Sequence, residues 1–352
     1  MMNICHIAPY SPSLCGLFEH ARDMARADII GGNDVIFVDA GITRNGVREE
    51  GLIGAIDDRA GFRLETAHPN MIQEADVIVQ HTGCYDNWTV KTQAPIIWCI
   101  HGRPLACFRP ELQGKGESFS LYSDLATWKR AKKMLYFWDE FTPYWSNVIP
   151  EQKLLCLDYP VIDENRFNSD GEVYRFQNSG KYNILICDSE REDIGIYELV
   201  NGCIQVAKKY PNQFKFHFVG SLDLPIPNCW NLVLGKLKEL GALGDIVGRI
   251  TNIESVYKAS DCLISPNRII VRTIAEALSC GLPVITEIGC KIADYTCDMS
   301  NPYDVLEAFD LFKTEFDNRQ IDKNEIIERA KVFNMANYAD AMNKVYKEIC
   351  LK

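Results

Sequence analysis

The sequence predicts an α/β protein built from two tandem domains, each a doubly wound, Rossmann-like parallel sheet. At 352 residues the chain is too long for one ordinary hydrophobic core, because domains usually span about 100–200 residues. Short apolar segments alternate along it with helical segments, a pattern typical of parallel sheets covered by helices on both faces. The turn-rich stretch Asp163–Lys181 interrupts this alternation and predicts the linker between the domains.

The first domain begins with an apolar strand and a loop of Pro, Ser and Gly that leads into a helix. The strand is Asn3–Ala8, and the helix, Leu17–Ile30, ends at Gly31-Gly32. Later strands are short, apolar and bounded by turn residues or charges, as buried parallel strands should be. They are predicted at Asp34–Val38, Asp76–Gln80, Ile96–Ile100 and Met134–Trp138.

The second domain repeats the alternation after the linker. Its predicted strands are Tyr182–Cys187, Phe214–Val219, Asp245–Ile250, Cys262–Ser265 and Pro283–Ile288. Its predicted helices are Ile194–Tyr210, Leu232–Gly241, Ile253–Ala259 and Val271–Cys280. A last helix, Asn337–Ile349, follows a domain that is already complete, so we expect it to pack back on the first domain. The predicted domains are therefore residues 1–165 and 166–333, followed by a crossing helix at 334–352.

Composition and charge disfavour several classes of protein. The formal net charge of -11, from 37 Lys and Arg against 48 Asp and Glu, disfavours nucleic acid as a partner. The 14 cysteines form no CxxC or CxxH pair, so neither a zinc site nor a CxxC redox site is predicted. Scattered cysteines, no signal-peptide pattern and no apolar run of about 18 residues together predict a cytoplasmic protein.

The one dense basic run, Trp128–Lys133, has two interpretations. It would suit an anionic membrane surface or an acidic acceptor. More often such a run is the solvated end of a helix that enters the next strand, here Met134–Trp138. We favour this second interpretation.

The segment Asp261–Ile285 carries the strongest motif. Ser265-Pro266 ends a strand, Glu276 lies in the following helix, and CGLPVI (Cys280–Ile285) leads into the next strand. This arrangement resembles the donor-binding segment of glycosyltransferase family 4, in which a strand ending in Pro-Ser precedes an E-x7-E motif and EAxxxGxPVI. The resemblance implies a GT-B fold, with two Rossmann-like domains that face a cleft and a nucleotide-sugar donor bound by the second domain.

Further landmarks of the family recur in the same order over nearly the whole chain, which a chance motif would not do. They are DVIVQH (Asp76–His81), IIWCIHG (Ile96–Gly102), YPVIDENRF (Tyr159–Phe167), FHFVGS (Phe216–Ser221) and VGRI (Val247–Ile250).

The resemblance assigns roles to residues that follow strands or begin helices. Ligands of open α/β sheets bind beyond the carboxyl ends of strands, and helix N-termini suit phosphates, so these positions agree with the roles. Glu276 is expected to bind a ribose, and His101 and Arg268 are the expected catalytic residues. The other expected donor-binding residues are Gly16, Arg191, Gly220, Arg249, Ile250, Val271, Arg272 and Thr273.

Several of these residues have a plain structural alternative. Glu276 would otherwise be a solvent-facing helix glutamate, Arg272 a surface charge, and Gly16 a simple turn residue. His81 is the sibling of His101 at the end of the preceding strand and is expected to be structural.

Two departures from the family pattern concern the residues that bind the donor. Arg268 stands where E-x7-E has its first Glu, which in the family touches donor sugar hydroxyls. Cys187-Asp188 replaces a Gly-Arg pair, and Arg191 alone remains of the basic residues there. Either Arg268, Arg272 and Arg191 now bind the donor diphosphate, which we favour, or the cleft no longer binds a nucleotide diphosphate sugar.

The expected function is transfer of a sugar from a nucleotide-sugar donor to an unidentified glycan, lipid or small-molecule acceptor. The resemblance implies retention of configuration, no metal ion and no cofactor besides the donor. The rival hypothesis is a non-catalytic GT-B scaffold that binds a ligand or partner protein without turnover. Glycosylation of a modified DNA base is disfavoured by the net charge of -11.

Overall fold

The chain divides into two compact units, Met1–Val161 together with Phe333–Lys352, and Ile162–Val332. A computed structural model describes residues 1–8, 16–39, 63–66, 71–81, 92–101, 129–187, 195–220, 228–248 and 250–350. The first unit's boundary falls at Val161, whereas the sequence places it at residue 165. Each unit has its own sheet and core, and each is described by itself.

The first unit is built on a seven-stranded sheet in which the neighbouring strands are parallel. Its strands are β1 (Asn3–Ala8), β2 (Asp34–Asp39), β3 (Arg63–Thr66), β4 (Val77–His81), β5 (Ile96–Ile100), β6 (Lys133–Phe137) and β7 (Leu154–Leu157). They lie in the order β3-β2-β1-β4-β5-β6-β7. The strands β2 and β3 are added on one side of β1 and the strands from β4 onwards on its other side, so the topological switch point lies between β1 and β4. This is the doubly wound order of a Rossmann-like sheet.

In the described part of the first unit, helices follow strands of the sheet in the chain. Helix α1 (Gly16–Ile30) follows β1, and its buried residues Phe18, Ala21 and Met24 join the core of this unit. Spacings of three residues put these side chains on one face of a helix, which explains why this face turns to the sheet. The short helix α2 (Thr142–Trp145) follows β6.

The second unit has a six-stranded parallel sheet. Its strands are β8 (Tyr182–Ile186), β9 (Phe214–Val219), β10 (Leu243–Gly248), β11 (Cys262–Ser265), β12 (Val284–Glu287) and β13 (Tyr295–Cys297), in the order β10-β9-β8-β11-β12-β13. Its helices are α3 (Ile196–Lys209), α4 (Asn228–Glu239), α5 (Ile253–Ala259), α6 (Arg272–Ser279), α7 (Pro302–Asp317) and α8 (Lys323–Ala330). Both sheets therefore have the predicted doubly wound form.

The last helix, α9 (Met335–Cys350), belongs to the first unit. Its Asn343 side chain accepts a hydrogen bond from Asn33 Nδ2 at 2.8 Å and donates one to Gly31 O at 3.0 Å. Met342 is fully buried in the core that α1 also lines. The chain thus returns to its first unit after completing the second, which confirms the predicted packing of this helix.

The strands that the sequence analysis did not predict, β3, β7 and β13, each lie at the edge of a sheet. β7 is half-buried along its whole length, and β13 has three residues. An edge strand buries less surface than a central one, so its apolar pattern is weaker. Helices α2, α7 and α8 were also not predicted. The predicted ends of the other elements agree with the observed ends or differ from them by up to four residues. Of the helices in the described part of the chain, none is long and apolar enough to cross a membrane.

Candidate functional site

Residues that follow three strands of the second sheet lie close together at its carboxyl edge. A Cβ atom added at Gly195, which follows β8 in the chain, would lie 3.9 Å from the Cβ of Pro266. One added at Gly289, after β12, would lie 4.0 Å from the Cβ of Arg268. Both glycines have positive φ, 75° and 106°, which residues with a side chain rarely adopt. The ends of β8, β11 and β12 therefore gather at one rim, where ligands of open α/β sheets bind.

The start of α6 lies on this rim. Ser265, the last residue of β11, accepts a hydrogen bond from Asn267 Nδ2 at 3.0 Å, which helps to fix the turn that follows. Val271 is extended, and its carbonyl accepts the N–H groups of Ile274 and Ala275. The N–H groups that precede this first bond of a helix have no intrahelical acceptor and favour an anion. Val271, Arg272 and Thr273, expected at the diphosphate, lie at this helix end.

Glu276 lies in the second turn of α6 and is 5% exposed. Its Oε1 accepts a hydrogen bond from Arg272 Nε at 2.6 Å, and its Oε2 accepts one from the Tyr257 hydroxyl at 2.9 Å. Burial, with further contributions from the charges of Cys187 and Glu276, raises the pKa of Tyr257 well above its usual value. The phenol therefore stays protonated and donates to the carboxylate.

These contacts rule out the plain structural alternatives for two residues. Glu276 is not solvent-facing, and the side chain of Arg272 is 10% exposed rather than free on the surface. Arg272 is spaced four residues from Glu276, so both lie on one face of α6. Its Cζ atom also lies 5.7 Å from the ring centroid of Phe167, within the YPVIDENRF motif. The rim thus holds a buried, oriented carboxylate and an arginine.

The other predicted donor-binding residues have varied settings. Arg268 is exposed beside Gly289 at the rim. Thr273 Oγ1 is buried and has no hydrogen-bond partner among the residues that the structure describes. Gly220 has φ 131° and donates its N–H to Gly248 O at 3.0 Å, and Ile250 is half-buried.

The structure gives little information on the role of three predicted positions. Arg191 and Arg249 lie outside the described residues. Gly16 begins α1 in the first unit, and an added Cβ there would meet no atom within 4 Å. Sterics among the described residues therefore do not require glycine at Gly16.

Sequence reasoning missed Tyr257, which fixes Glu276. It lies in ESVYKASDC, within a stretch that matched the family, but its hydroxyl gives no pattern in the sequence. The face of α5 that it occupies and the distance to α6 are set by tertiary packing.

A second polar cluster lies in the first unit, where β1, β4 and β5 are neighbours. His101 follows β5 and is half-buried, and its Nε2 lies 2.8 Å from Nδ1 of His81. His81 Nε2 lies 2.9 Å from His6 Nδ1, and His6 Nε2 lies 2.8 Å from Asp28 Oδ2. His101 Nδ1 lies 3.2 Å from Nδ1 of His20, on α1. The predicted catalytic histidine therefore belongs to a hydrogen-bonded chain of side chains.

This chain holds its central member uncharged. Burial lowers the pKa of His81 well below its usual value, and the neighbouring imidazoles of His101, His6 and His20 lower it further. His81 is therefore neutral and buried. His6, His20 and Asp28 were not singled out from the sequence, because their contacts with His81 and His101 join β1, α1 and the strands β4 and β5, which approach one another only in the folded unit.

His81, Cys99 and His101 also bring three atoms that can ligate a metal within 4.8 Å of one another. Two nitrogen ligands at about 2.0–2.1 Å from a tetrahedral zinc ion would lie about 3.3 Å apart. The two histidine nitrogens here are 2.8 Å apart, which is the length of a hydrogen bond. The geometry therefore fits a hydrogen bond between the imidazoles better than a shared metal ion.

Two doubly wound units, of which the first is completed by the last helix, match the GT-B class of glycosyltransferase folds. No protein-family model matches this chain, and no curated protein matches it in sequence. Solved structures do match. A glycosyltransferase from Rickettsia africae ESF-5 is 17% identical, with a TM-score of 0.69 over 100% of this chain and 99% of that one.

Two further structures extend this similarity. HepE from Anabaena, solved with UDP and glucose, is 12% identical with a TM-score of 0.71, over 99% of this chain and 100% of that one. Sucrose-phosphate synthase from Thermosynechococcus elongatus is 12% identical with a TM-score of 0.69, over 99% of both chains. At these identities the likeness shows the fold. The predicted GT-B fold class is therefore confirmed.

Proposed function

We propose that this protein is a glycosyltransferase that takes a sugar from a nucleotide-sugar donor. The observation that carries the proposal is Glu276, a buried carboxylate held at the rim of the second sheet by Arg272 and Tyr257. A carboxylate can accept more than one hydrogen bond at each oxygen, so these two bonds leave it acceptor capacity for the two hydroxyls of a ribose. Solved structures of the same fold with bound UDP or UDP-glucose support this class of ligand.

The donor diphosphate is proposed to bind at the start of α6. The start of a helix and the positive end of its dipole favour phosphate there, next to Arg272 and Arg268. The bond from Arg272 Nε to Glu276 uses one of the five N–H donors of a guanidinium, so the same arginine can orient the carboxylate and reach a phosphate. Thr273 Oγ1 is a further polar group at this helix end.

The chemistry that we propose follows the family resemblance. Positive groups at the start of α6 would stabilise the charge on the departing diphosphate, and His101 in the first unit would contact the transferred sugar. Gly16, Gly220, Ile250, Arg191 and Arg249 complete the proposed donor site. Retention of configuration, independence of metal and a cytoplasmic location are parts of the same proposal. The acceptor is a glycan, lipid or small molecule rather than a nucleic acid.

A non-catalytic scaffold is the second candidate, and Arg268 favours it. This arginine replaces a glutamate that touches donor sugar hydroxyls in the family. Ligand binding with no turnover would then be the function of the rim.

A thermal-shift panel tests the proposed donor site. The wild-type protein and Glu276→Gln would each be mixed with UDP, GDP, ADP and CMP and with their sugar conjugates. Ligand at 100 times its Kd stabilises a protein by about 2.7 kcal/mol, and each kcal/mol raises Tm by about 2–4 °C in a unit of this size. We expect one nucleotide to raise the wild-type Tm by about 5–10 °C, and the Glu276→Gln variant to lose most of that rise.

The matched control is Glu307→Gln, at an exposed glutamate of α7. It should keep the full nucleotide-dependent rise. No rise with any nucleotide in the wild type would refute the donor site. Hydrolysis of the best-binding nucleotide sugar would then separate the two candidates, since the scaffold binds the donor and releases no free sugar.

A further inference from the structure

The histidines of the first unit form one directional hydrogen-bonded chain that ends at a carboxylate. Its order is His20, His101, His81, His6 and Asp28, with successive distances of 3.2, 2.8, 2.9 and 2.8 Å. A neutral imidazole donates from one nitrogen and accepts at the other, so the position of one proton determines all the others.

One end of the chain is fixed by the backbone. The N–H of Val161 points at His20 Nε2, at 2.8 Å. A backbone N–H can only donate, so His20 Nε2 carries no proton and the neutral ring is protonated at Nδ1. That proton points at His101 Nδ1, which must accept. His101 is therefore protonated at Nε2 and donates to His81.

The other end agrees with the same direction. Asp28 Oδ2 accepts hydrogen bonds from His6 Nε2 at 2.8 Å and from the Tyr346 hydroxyl at 2.7 Å. His6 is then protonated at Nε2 and accepts at Nδ1 from His81. Both ends thus agree with one pattern, in which every proton of the chain points from His20 towards Asp28.

We propose that His20, His81, His6 and Asp28 are positioning residues that lock His101 as the neutral tautomer protonated at Nε2. The lock leaves His101 Nδ1 as a hydrogen-bond acceptor. His101 is half-buried, whereas the other four members of the chain are buried. The bond to Nδ1 is also the longest in the chain, at 3.2 Å against 2.8–2.9 Å, so it is the easiest to exchange. A ligand hydroxyl that donates to Nδ1 would replace His20 there without changing the tautomer.

A metal ion at His101 Nε2 would conflict with this arrangement. The ring would have to carry its proton at Nδ1 and donate it to His20 Nδ1. His20 would then be protonated at Nε2, facing the Val161 N–H across 2.8 Å. Two donors would face each other, so the backbone bond itself opposes the metal-bound state.

The lock is tested by 15N NMR of the free protein, in which protonated and unprotonated ring nitrogens have distinct shifts. At pH 7 we expect His20 to carry its proton at Nδ1, and His6, His81 and His101 to carry theirs at Nε2. His217 in the second unit is an internal reference, because the Asp245 N–H donates to its Nδ1 at 2.9 Å and so fixes its proton at Nε2. Finding His101 protonated at Nδ1, or at both nitrogens, would overturn the proposal.

Two variants of His81 separate positioning from mere packing. His81→Gln keeps an acceptor for His101 and a donor for His6, so the His101 tautomer should persist. His81→Phe fills similar space but breaks the chain, so His101 should show a mixture of tautomers with averaged shifts. An unchanged His101 in His81→Phe would mean that the chain does not set its tautomer. If neither variant folds, the wild-type spectrum still decides.

Zinc and a nucleotide sugar provide the remaining arms of the test. One equivalent of Zn2+ should leave the four tautomers unchanged, and loss of the His101 Nε2 proton would establish a metal site instead. The use of Nδ1 by a sugar hydroxyl rests on the proposed function. A nucleotide sugar that raises Tm should therefore also shift His101 Nδ1 and His20 Nδ1. Binding without those shifts overturns the hydroxyl contact alone, whereas no binding refutes the donor site and leaves the tautomer lock standing.

Discussion

At the scale of the residue, the candidate site of this protein contains polar side chains that are held in place by hydrogen bonds. Glu276 is 5% exposed, and burying a carboxylate is costly unless it is hydrogen-bonded. Arg272 and Tyr257 supply those bonds, at 2.6 and 2.9 Å, and thereby fix the direction of both oxygens. The same argument applies in the first unit, where Asp28 accepts hydrogen bonds from His6 and Tyr346. Glu276 and Asp28 are thus both oriented by a basic ring or guanidinium together with a tyrosine.

Replacement of Tyr257 by Phe should destabilise the second unit. It removes the hydroxyl that donates to Glu276 Oε2 while keeping the ring, and hydrogen bonds to charged groups contribute about 1.5–3 kcal/mol. We expect a loss of that size in the free energy of unfolding, measured by urea denaturation at pH 7. Tyr303→Phe is the matched control, because Tyr303 is 69% exposed and its change should stay within about 0.5 kcal/mol. Equal effects of the two substitutions would contradict the structural role of Tyr257.

The sequence singles out Glu276 and His101 as candidate site residues, since each lies in a recognisable motif after a predicted strand. It could not predict what holds them. Tyr257 and Glu276 are 19 positions apart, and Tyr346 and Asp28 are 318 positions apart. Such partners are chosen by the packing of helices on a sheet, and a lone Tyr or His gives no periodic signal.

At the scale of the element, helices α3 and α7 approach closely at one glycine. A Cβ added at Gly202 would lie 2.5 Å from Val305 Cγ1, far below van der Waals contact. Val305 is fully buried in the core of the second unit. The glycine is therefore required by the spacing of two helices and not by a turn.

Gly202→Ala should consequently force the two helices apart or displace Val305. Overpacking of this kind usually costs about 1–3 kcal/mol. Gly235→Ala in α4 is the control, because its added Cβ would meet nothing within 4 Å. Alanine is favoured over glycine in a helix by about 0.5–1 kcal/mol, so this variant should be stabilised. Thermal unfolding of the two variants should therefore move in opposite directions, and a stabilised Gly202→Ala would show that α3 and α7 are not so close. Val305→Ala should restore part of the loss in the double variant.

Edge position explains why three strands were not predicted from the sequence. Central strands such as β4 and β5 are buried at every residue and were predicted nearly residue for residue. The edge strands β3, β7 and β13 were not predicted. A strand with a neighbour on one side buries less apolar surface, so its composition approaches that of a loop.

At the scale of the whole molecule, the chain crosses from its first unit to its second and returns. Helix α9 contributes Met342, Tyr346 and Ile349 to the core of the first unit. In the sequence, the entire second unit lies between α1 and Met342. The first unit is therefore completed by the last residues of the chain.

Met342→Ala should loosen the first unit and leave the second unchanged. Removal of a fully buried methionine side chain costs about 2–5 kcal/mol. Hydrogen exchange followed by mass spectrometry should show faster exchange in α1 and β1 and unchanged exchange in α3 and β9. Phe309→Ala, at a fully buried residue of the second core, should give the reverse pattern. Faster exchange in α3 caused by Met342→Ala would contradict the assignment of α9 to the first unit.

The sequence by itself determined the fold class of this protein. Alternating apolar strands and amphipathic helices, a turn-rich linker and a complete second domain before the last helix were enough to predict two doubly wound sheets. These features are local, because periodicity and turn preferences depend on residues that are close together in the sequence. The motif after β11 likewise marked Glu276 and the start of α6.

Only the tertiary structure decided how the site residues are paired and protonated. The bond from Val161 N–H to His20, which sets the direction of the histidine chain, joins residues 141 positions apart. The pairing of Arg272 with Glu276 could be anticipated from helical spacing, but the burial of both could not. Hydrogen-bond direction and burial are properties of contacts between segments, and the free energy of those contacts comes from packing that no short stretch of sequence contains.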